Sequence, residues 1–394
     1  MLSIPFIQRL LVAVIFSVRG FLWGSNKSNQ KGLLPYFYLF GGNAIFTHTL
    51  PSPMKILAIG PLWRGSNAGG LFQAMSRQGC LIEVLDEFYY ISLQSKDKLT
   101  KVYERLLRPR QVTEFNEAIK RKINVLHPHV LFVYKGAFVL PETLQYAKQN
   151  NCRLALFYPD VSTTAHGPNI PKCIPLYDTV FTTKTFGITD MAKFGVKNAH
   201  FIPHGFDPQI HRQLPLSDED KKNYGCDASF IGTWSPKKEA WLTALKKALP
   251  DIDLRIWGEQ WYKAQSPEIK SSIQHAPVVG DLYAVAIQCS KINLGILSEQ
   301  VTGASSGDLI TSRTFHIPGS FGFLLHERNE ESVLYFKENE EAGFFDGPEE
   351  LVQKVSYYLE KGGLREQIRL SGYIRSLREH SLDERAKTVI SFLS

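Results

Sequence analysis

The chain has 394 residues, 44% apolar and 21% charged, a composition that suits packed globular domains and excludes a disordered or fibrous chain. Basic residues exceed acidic ones by 7, too mild an excess for a nucleic-acid-binding signature. Five cysteines (Cys80, Cys152, Cys173, Cys226, Cys289) lie far apart with no C-x-x-C pair. That spacing argues against a disulfide scaffold or a thiolate zinc site and suits a reducing compartment.

Residues 1–53 contain no acid and carry Arg9, Arg19, Lys27 and Lys31. The uncharged run Leu10–Val18 has nine residues, short of the about 20 that a helical membrane span needs. Three readings of this extension stay open: a non-native or disordered start, a basic interfacial helix with Phe16, Phe21, Leu22 and Trp23 facing lipid, or a cleaved targeting peptide. The pattern changes at Met54, where Met-Lys-Ile-Leu-Ala-Ile-Gly reads as the opening strand of an α/β protein.

From there short apolar runs alternate with amphipathic ones. Strands are expected at Lys55–Gly60, Ile82–Leu85, Val130–Tyr134, Arg153–Tyr158, Thr179–Thr182 and His200–Pro203. Helices are expected at Leu71–Arg77, Gln111–Val125, Pro141–Gln149 and Phe186–Phe194. The polar stretch 208–226 reads as a linker or a short capped helix. Strands then resume at Ala228–Gly232, Asp253–Gly258, Ile292–Ile296, Gly322–Leu325 and Gly343–Phe345. Helices follow at Lys237–Leu249, Leu309–Ile317, Glu349–Lys361, Leu364–His380 and Leu382–Leu393. The expected organisation is an extension (1–53), a doubly wound domain (54–207), a linker (208–226), a second doubly wound domain (227–380) and a terminal helix (381–394). Two such α/β domains facing each other place the carboxyl ends of both sheets around one cleft.

Several segments carry chemistry. The turn after the first strand runs Gly60-Pro-Leu-Trp-Arg-Gly-Ser-Asn-Ala-Gly-Gly70, so Gly65, Ser66, Asn67 and Gly69 are candidates for an anion or acceptor loop at a helix start. The spacing is neither G-x-G-x-x-G nor a Walker loop, which sets nicotinamide oxidoreductases aside. His204 lies at a strand end at the domain junction. Gly232, Thr233 and Ser235-Pro-Lys-Lys238 open the second domain's first helix, where Lys237 or Lys238 can neutralise a phosphate. In Asp308-Leu-Ile-Thr311-Ser312-Arg313-Thr314-Phe-His316, a loop enters a helix; Arg313 offers a fork for a diphosphate and His316 a partner for a sugar hydroxyl. His127-Pro-His129 has the look of a metal pair but lacks a third ligand and precedes a strand, on the face opposite the cleft.

Together these segments resemble the GT-B glycosyltransferases, and within them the family related to the spore-maturation protein CgeB. The closest echo is Thr311-Ser-Arg-Thr-Phe-His-Ile-Pro-Gly-Ser-Phe-Gly-Phe-Leu-Leu325, where family members read Arg-Thr-Phe-Glu-Ile-Pro-Ala-Cys-Gly-Gly-Phe-Leu-Leu. Ile-Pro-His204-Gly-Phe-Asp-Pro, Phe230-Ile-Gly-Thr-Trp-Ser-Pro-Lys-Lys238 and Phe344-Phe-Asp-Gly-Pro-Glu-Glu-Leu351 echo it further. The resemblance implies metal-independent transfer of a sugar from a nucleotide-sugar donor on the C-terminal domain to an acceptor hydroxyl on the N-terminal one. The acceptor is a saccharide, a lipid-linked group or a protein. No cofactor, metal or nucleic acid is implied. The location is cytoplasmic, with peripheral contact at the inner membrane face open through the basic extension. Where related enzymes carry Glu-x7-Glu, this chain reads Asp308-x7-His316, and Thr233 stands where an Arg is usual, while Lys238 matches the family. In inverting members a base is needed, and Asp160 is the candidate; retention, in which the leaving phosphate takes the proton, is preferred. An inactive binding protein and a sugar-nucleotide epimerase on the same fold are the competing expectations.

Overall fold

The computed structural model describes residues 53–91 and 98–394. The extension therefore lies outside the described residues, apart from Pro53. In chain order the first half contains β1 (Lys55–Ile59), α1 (Asn67–Arg77), β2 (Leu81–Leu85), α2 (Lys98–Leu126), β3 (Val130–Tyr134), α3 (Pro141–Gln149), β4 (Arg153–Tyr158), α4 (Asn169–Cys173), β5 (Thr179–Thr182), α5 (Gly187–Ala192) and β6 (Ala199–Phe201). The second contains α6 (Asp218–Tyr224), β7 (Cys226–Ile231), α7 (Pro236–Ala248), β8 (Leu254–Trp257), α8 (Asp281–Cys289), β9 (Ser290–Gly295), α9 (Ser312–Gly319), β10 (Leu324–Glu327), β11 (Gly343–Phe345), α10 (Gly347–Glu360), α11 (Gly362–Glu379) and α12 (Leu382–Leu393).

The strands form two all-parallel sheets, ordered β2-β1-β3-β4-β5-β6 and β11-β10-β9-β7-β8. Parallel strands are covered on both faces, which is why β3 reads Val-Leu-Phe-Val-Tyr and buries every side chain. In each sheet the strand order reverses beside the first strand, between β1 and β3 and between β7 and β9. Ligands of such sheets bind at this switch point, outside the carboxyl ends of the strands.

The two halves share more than a linker. Helix α6 is capped by Ser217 and Asp220, each side chain bonding the other's backbone N–H. At the far end, α12 returns to the first lobe. Its Leu382, Ala386, Val389 and Leu393 complete the core formed by Ile56, Phe72, Phe132 and Phe181. The junction is tied by backbone bonds: Phe206 N–H donates to the His380 carbonyl at 3.1 Å, and Leu382 N–H to the Phe206 carbonyl at 2.8 Å.

Helix α8 falls where the sequence reading has no element, because its run Asp-Leu-Tyr-Ala-Val-Ala-Ile-Gln-Cys is apolar nearly all round and shows no helical stripe. Helix α2 starts 13 residues before the expected Gln111.

Candidate active site

The carboxyl edges of the two sheets enclose a cavity of about 370 Å³. Its C-terminal wall is built from the β7–α7 turn, the segment after β9 and the start of α9. Ser235 caps α7 by accepting the Lys238 N–H, with Pro236 in the first helical position. Lys238 is 3% exposed and donates to the Thr233 carbonyl at 3.1 Å and to Ser298 Oγ at 2.8 Å. Burial, and then the neighbouring Arg313, bring its pKa down to about 8. Lys237, the other candidate of that pair, is tied to Glu327 at 2.6 Å and lies over the Trp241 ring.

Arg313 reaches from the first turn of α9 to the end of β7. Its guanidinium lies 5.1 Å from the Phe230 ring centroid and donates to the carbonyls of Ile296 (2.9 Å) and Ile231 (3.5 Å). Its Nε–H has no partner. Gly232 makes the room: a Cβ there would stand 2.6 Å from Arg313 Nη1. Among the described residues neither Lys238 nor Arg313 forms a salt bridge, and Asp308 and Glu327 pair instead with Lys184 and Lys237. The start of α9 adds positive character, since the first N–H groups of a helix have no intrahelical acceptor. Thr311, the residue before this helix, has a buried Oγ1 without a partner.

The N-terminal wall is different. Ser66 and Asn67 line it from the β1–α1 turn, where Ser66 Oγ donates to the Pro61 carbonyl at 2.8 Å and accepts the Gly69 N–H at 3.0 Å. At the end of β3, Lys135 adopts φ +67°, a left-handed conformation that L side chains rarely take. This residue pairs with Asp160 at 2.8 Å, and His166 approaches the same carboxylate at 3.0 Å. Burial pushes the Asp160 pKa up, but the contacts with His166 and Lys135 outweigh it and hold the carboxyl well below the usual range. Lys184, 4% exposed, crosses the cleft to Asp308 at 2.5 Å and to the Ile310 carbonyl at 3.2 Å. Arg64 with Asp281 (2.7 Å) and Thr185 with Glu331 (2.8 Å) join the same two lobes. His204 lines the cavity. Its imidazole stays neutral, because burial and then the nearby Lys184 keep its pKa well below the ordinary histidine value.

The structure thus gathers His204, Asp160, Thr233, Lys238, Asp308, Thr311, Ser312, Arg313, Ser66 and Asn67 around one cavity. Five expected residues stand elsewhere, each for a physical reason. His316 does not line the cavity: its ring stacks on His211 at 3.8 Å, and Nε2 bonds the Gly205 carbonyl at 3.2 Å. Thr314 is buried between the Thr311 N–H and His326. Gly65, at φ +93°, packs against the Gly280 backbone, and Gly69 against Ser66 Oγ. Gly232 opens onto a second, larger cavity instead.

That second cavity, of about 770 Å³, shares Trp63 and Thr233 with the first and runs over Gly258, Trp261, Tyr262, Gln274 and His275. The sequence reading missed it, along with Lys135, Lys184 and Ser298. Signals were present for most of these, since Lys135 follows β3 directly, Lys184 lies two residues past β5, and the aromatic cluster Trp257–Tyr262 begins as β8 ends. His129, of the proposed metal pair, accepts the Lys55 N–H through Nδ1 at 3.1 Å.

Residues 237–391 match the sequence model of a family described as glycosyl transferase-like. No curated protein sequence matches the chain. Among solved structures, the chain is similar to Anabaena Alr3699/HepE in complex with UDP-glucose: 12% identity, 86% of this chain and 99% of that one covered, TM-score 0.58. It is similar to the sucrose-phosphate synthase (tll1590) of Thermosynechococcus elongatus: 10% identity, 86% and 98% covered, TM-score 0.59. A UDP-N-acetylglucosamine 2-epimerase shares the architecture as well: 8% identity, 86% and 95% covered, TM-score 0.52. The C-terminal lobe is therefore glycosyl transferase-like in sequence, and the fold is GT-B: two Rossmann-like domains facing across a cleft. Identities this low establish the fold and not the reaction.

Proposed function

We propose that the protein is a glycosyltransferase that takes a sugar from a nucleotide diphosphate donor bound on the C-terminal lobe and gives it to an acceptor hydroxyl held against the N-terminal lobe. The observation that carries this reading is the pair Lys238 and Arg313, two desolvated cations without a carboxylate partner beside a helix start. Unpaired buried charge is costly, and a diphosphate at this point satisfies both cations and the first N–H groups of α9 together. As the glycosidic bond breaks, charge develops on the leaving diphosphate, and preorganised donors lower that barrier without reorganisation. In this reading no metal is needed for that task. The nucleoside extends into the larger cavity, past Gly258 and Trp261. HepE, solved in complex with UDP-glucose, supports a nucleotide-sugar donor.

Retention fits the N-terminal wall better than inversion. A carboxylate whose contacts with His166 and Lys135 hold its pKa well below the usual range is a weak proton acceptor, which argues against Asp160 as a base. The leaving phosphate then takes the acceptor proton. Within the family, the CgeB-related branch fits the Arg313–Leu325 motif.

A thermal-shift screen with UDP, GDP, ADP and TDP tests the reading. A specific ligand at a hundred times its Kd stabilises by about 2.7 kcal/mol. One nucleotide is expected to shift Tm, and Arg313→Ala to lose the shift with its fold intact. No shift with any of the four counts against a donor site. Binding without turnover marks an inactive binding protein, and donor conversion without acceptor marks an epimerase.

A further inference from the structure

Helix α2 has 29 residues, about 43 Å at 1.5 Å per residue, and among its described side chains the buried ones all lie in the second half, while Arg108 in the first half lies over the Phe138 ring. Phe115, Ala118, Ile119 and Ile123 are at most 3% exposed and face β1 and β3 in one core. In the half before Gln111, no described side chain is buried. There Val102, Tyr103 and Leu106 are 59%, 63% and 74% exposed. At 100° per residue the three fall within about a 100° arc, so they form one apolar stripe that the described residues leave exposed. Pro109 sits between the halves and removes the hydrogen bond to the Arg105 carbonyl.

Topology places this overhang. A crossover helix starts where its preceding strand ends, at the carboxyl edge of the sheet, and the packed half already spans the sheet's depth. The first half therefore projects past that edge, on the cleft side of the N-terminal lobe.

The charge around the stripe is one-sided. Residues 98–110 contain Lys98, Lys101, Arg105, Arg108 and Arg110 against Glu104 alone. Arg105 is exposed next to the stripe, and Arg110, 81% exposed, bonds Glu114 at 2.9 Å on the far side of Pro109. A second copy of this face would meet its own positive charge. Residues 1–53, with four cations and no acid, would be repelled too. An anionic lipid surface complements both features, taking the apolar stripe into the headgroup layer and the basic side chains onto phosphates.

We propose that the first half of α2 is a membrane-docking element that seats the N-terminal lobe on anionic lipid. This inference does not rest on the transferase reading. The test is co-sedimentation of the full chain with vesicles of phosphatidylglycerol and phosphatidylcholine, against vesicles of phosphatidylcholine alone. Binding is expected to the anionic vesicles only, and to weaken with salt. Each Lys or Arg near such a surface is worth about a fivefold change in binding. Arg105→Glu with Arg110→Glu should therefore weaken it at least tenfold. Tyr103→Ser with Leu106→Asp should do the same, and melting should be unchanged because these side chains are exposed. No binding to anionic vesicles overturns the proposal. So does binding that both double variants leave intact, which puts the contact elsewhere in the chain. A dimer in sedimentation equilibrium that the apolar variant dissolves also overturns it, in favour of a second copy.

Discussion

The two walls of the cleft carry similar numbers of cations and treat them in opposite ways. On the N-terminal wall each lysine has its own counter-charge: Lys135 faces Asp160, and Lys184 reaches across to Asp308. On the C-terminal wall Lys238 and Arg313, among the described residues, donate only to carbonyls and a hydroxyl, and Arg313 lies over the Phe230 ring. A neutralised wall suits a neutral sugar or alcohol, which binds through hydrogen bonds and shape. A wall of unpaired, desolvated cations is prepared for a multiply charged anion. Under the proposed function, the asymmetry places a diphosphate on one side of the cleft and the group that receives the sugar on the other.

The sharpest way to break this comparison is to remove the unpaired charge. Arg313→Ala is expected to lower kcat by about 10²–10³, the scale of losing one preorganised donor to a developing anion. Gly232→Ala should come close to it while leaving the guanidinium in the chain, since the new Cβ stands 2.6 Å from Arg313 Nη1 and must displace it. Turnover and nucleotide Kd, measured on both variants beside a melting curve, check this. If Gly232→Ala binds nucleotide as the parent does, the guanidinium is not where the diphosphate sits.

These two residues also show what is legible in a sequence. The central strands, β3 and β4 among them, could be read because a strand buried on both faces is a short apolar run whatever its neighbours are. Lys238 could be read because it follows a turn at a strand end, and Arg313 because it opens a helix after the loop from β9, both where doubly wound sheets bind ligands. His316 could not be placed correctly. It is three residues from Arg313, near enough in phase to share a helix face, but its ring is claimed by His211 from the segment that joins the lobes. Partners distant in sequence decide such a case, as they do for Lys184, whose carboxylate lies 124 residues away. The first half of α2 was illegible for the converse reason. It has no core to face, so it shows no core-facing period, and Pro109 reads as a start.

Lys238 sharpens the comparison through pH. Its pKa is brought down to about 8, mainly by burial, so the apo protein holds the cation at neutral pH and loses it above. Nucleotide affinity should be flat from pH 7 to about 8 and then fall by at most tenfold per unit, because the diphosphate binds the charged form. Lys238→Met should bind more weakly and without that inflection. The apo stability should move the opposite way. Above pH 8 the unfolded chain still protonates this lysine while the native state does not, so this group makes stability rise with pH towards its unfolded value. Calorimetry across the same window, with and without nucleotide, separates the two slopes.

The smallest expected effect tests the other wall. Asp160 is already the counter-charge of Lys135 and is bonded to His166, and the contacts that hold its pKa down also blunt it as a base. Asp160→Asn should therefore cost less than about tenfold in kcat, against the 10²–10⁴ that loss of a general base removes. What it should change is the acceptor KM. Asn leaves Lys135 without its partner in a strained backbone, and a wall that was neutral becomes positive. A loss of 10² or more in kcat with KM unchanged would reverse the assignment. Asp160 would then be the base of an inverting reaction, and the pairing on the N-terminal wall would be part of the chemistry and not only of its electrostatic balance.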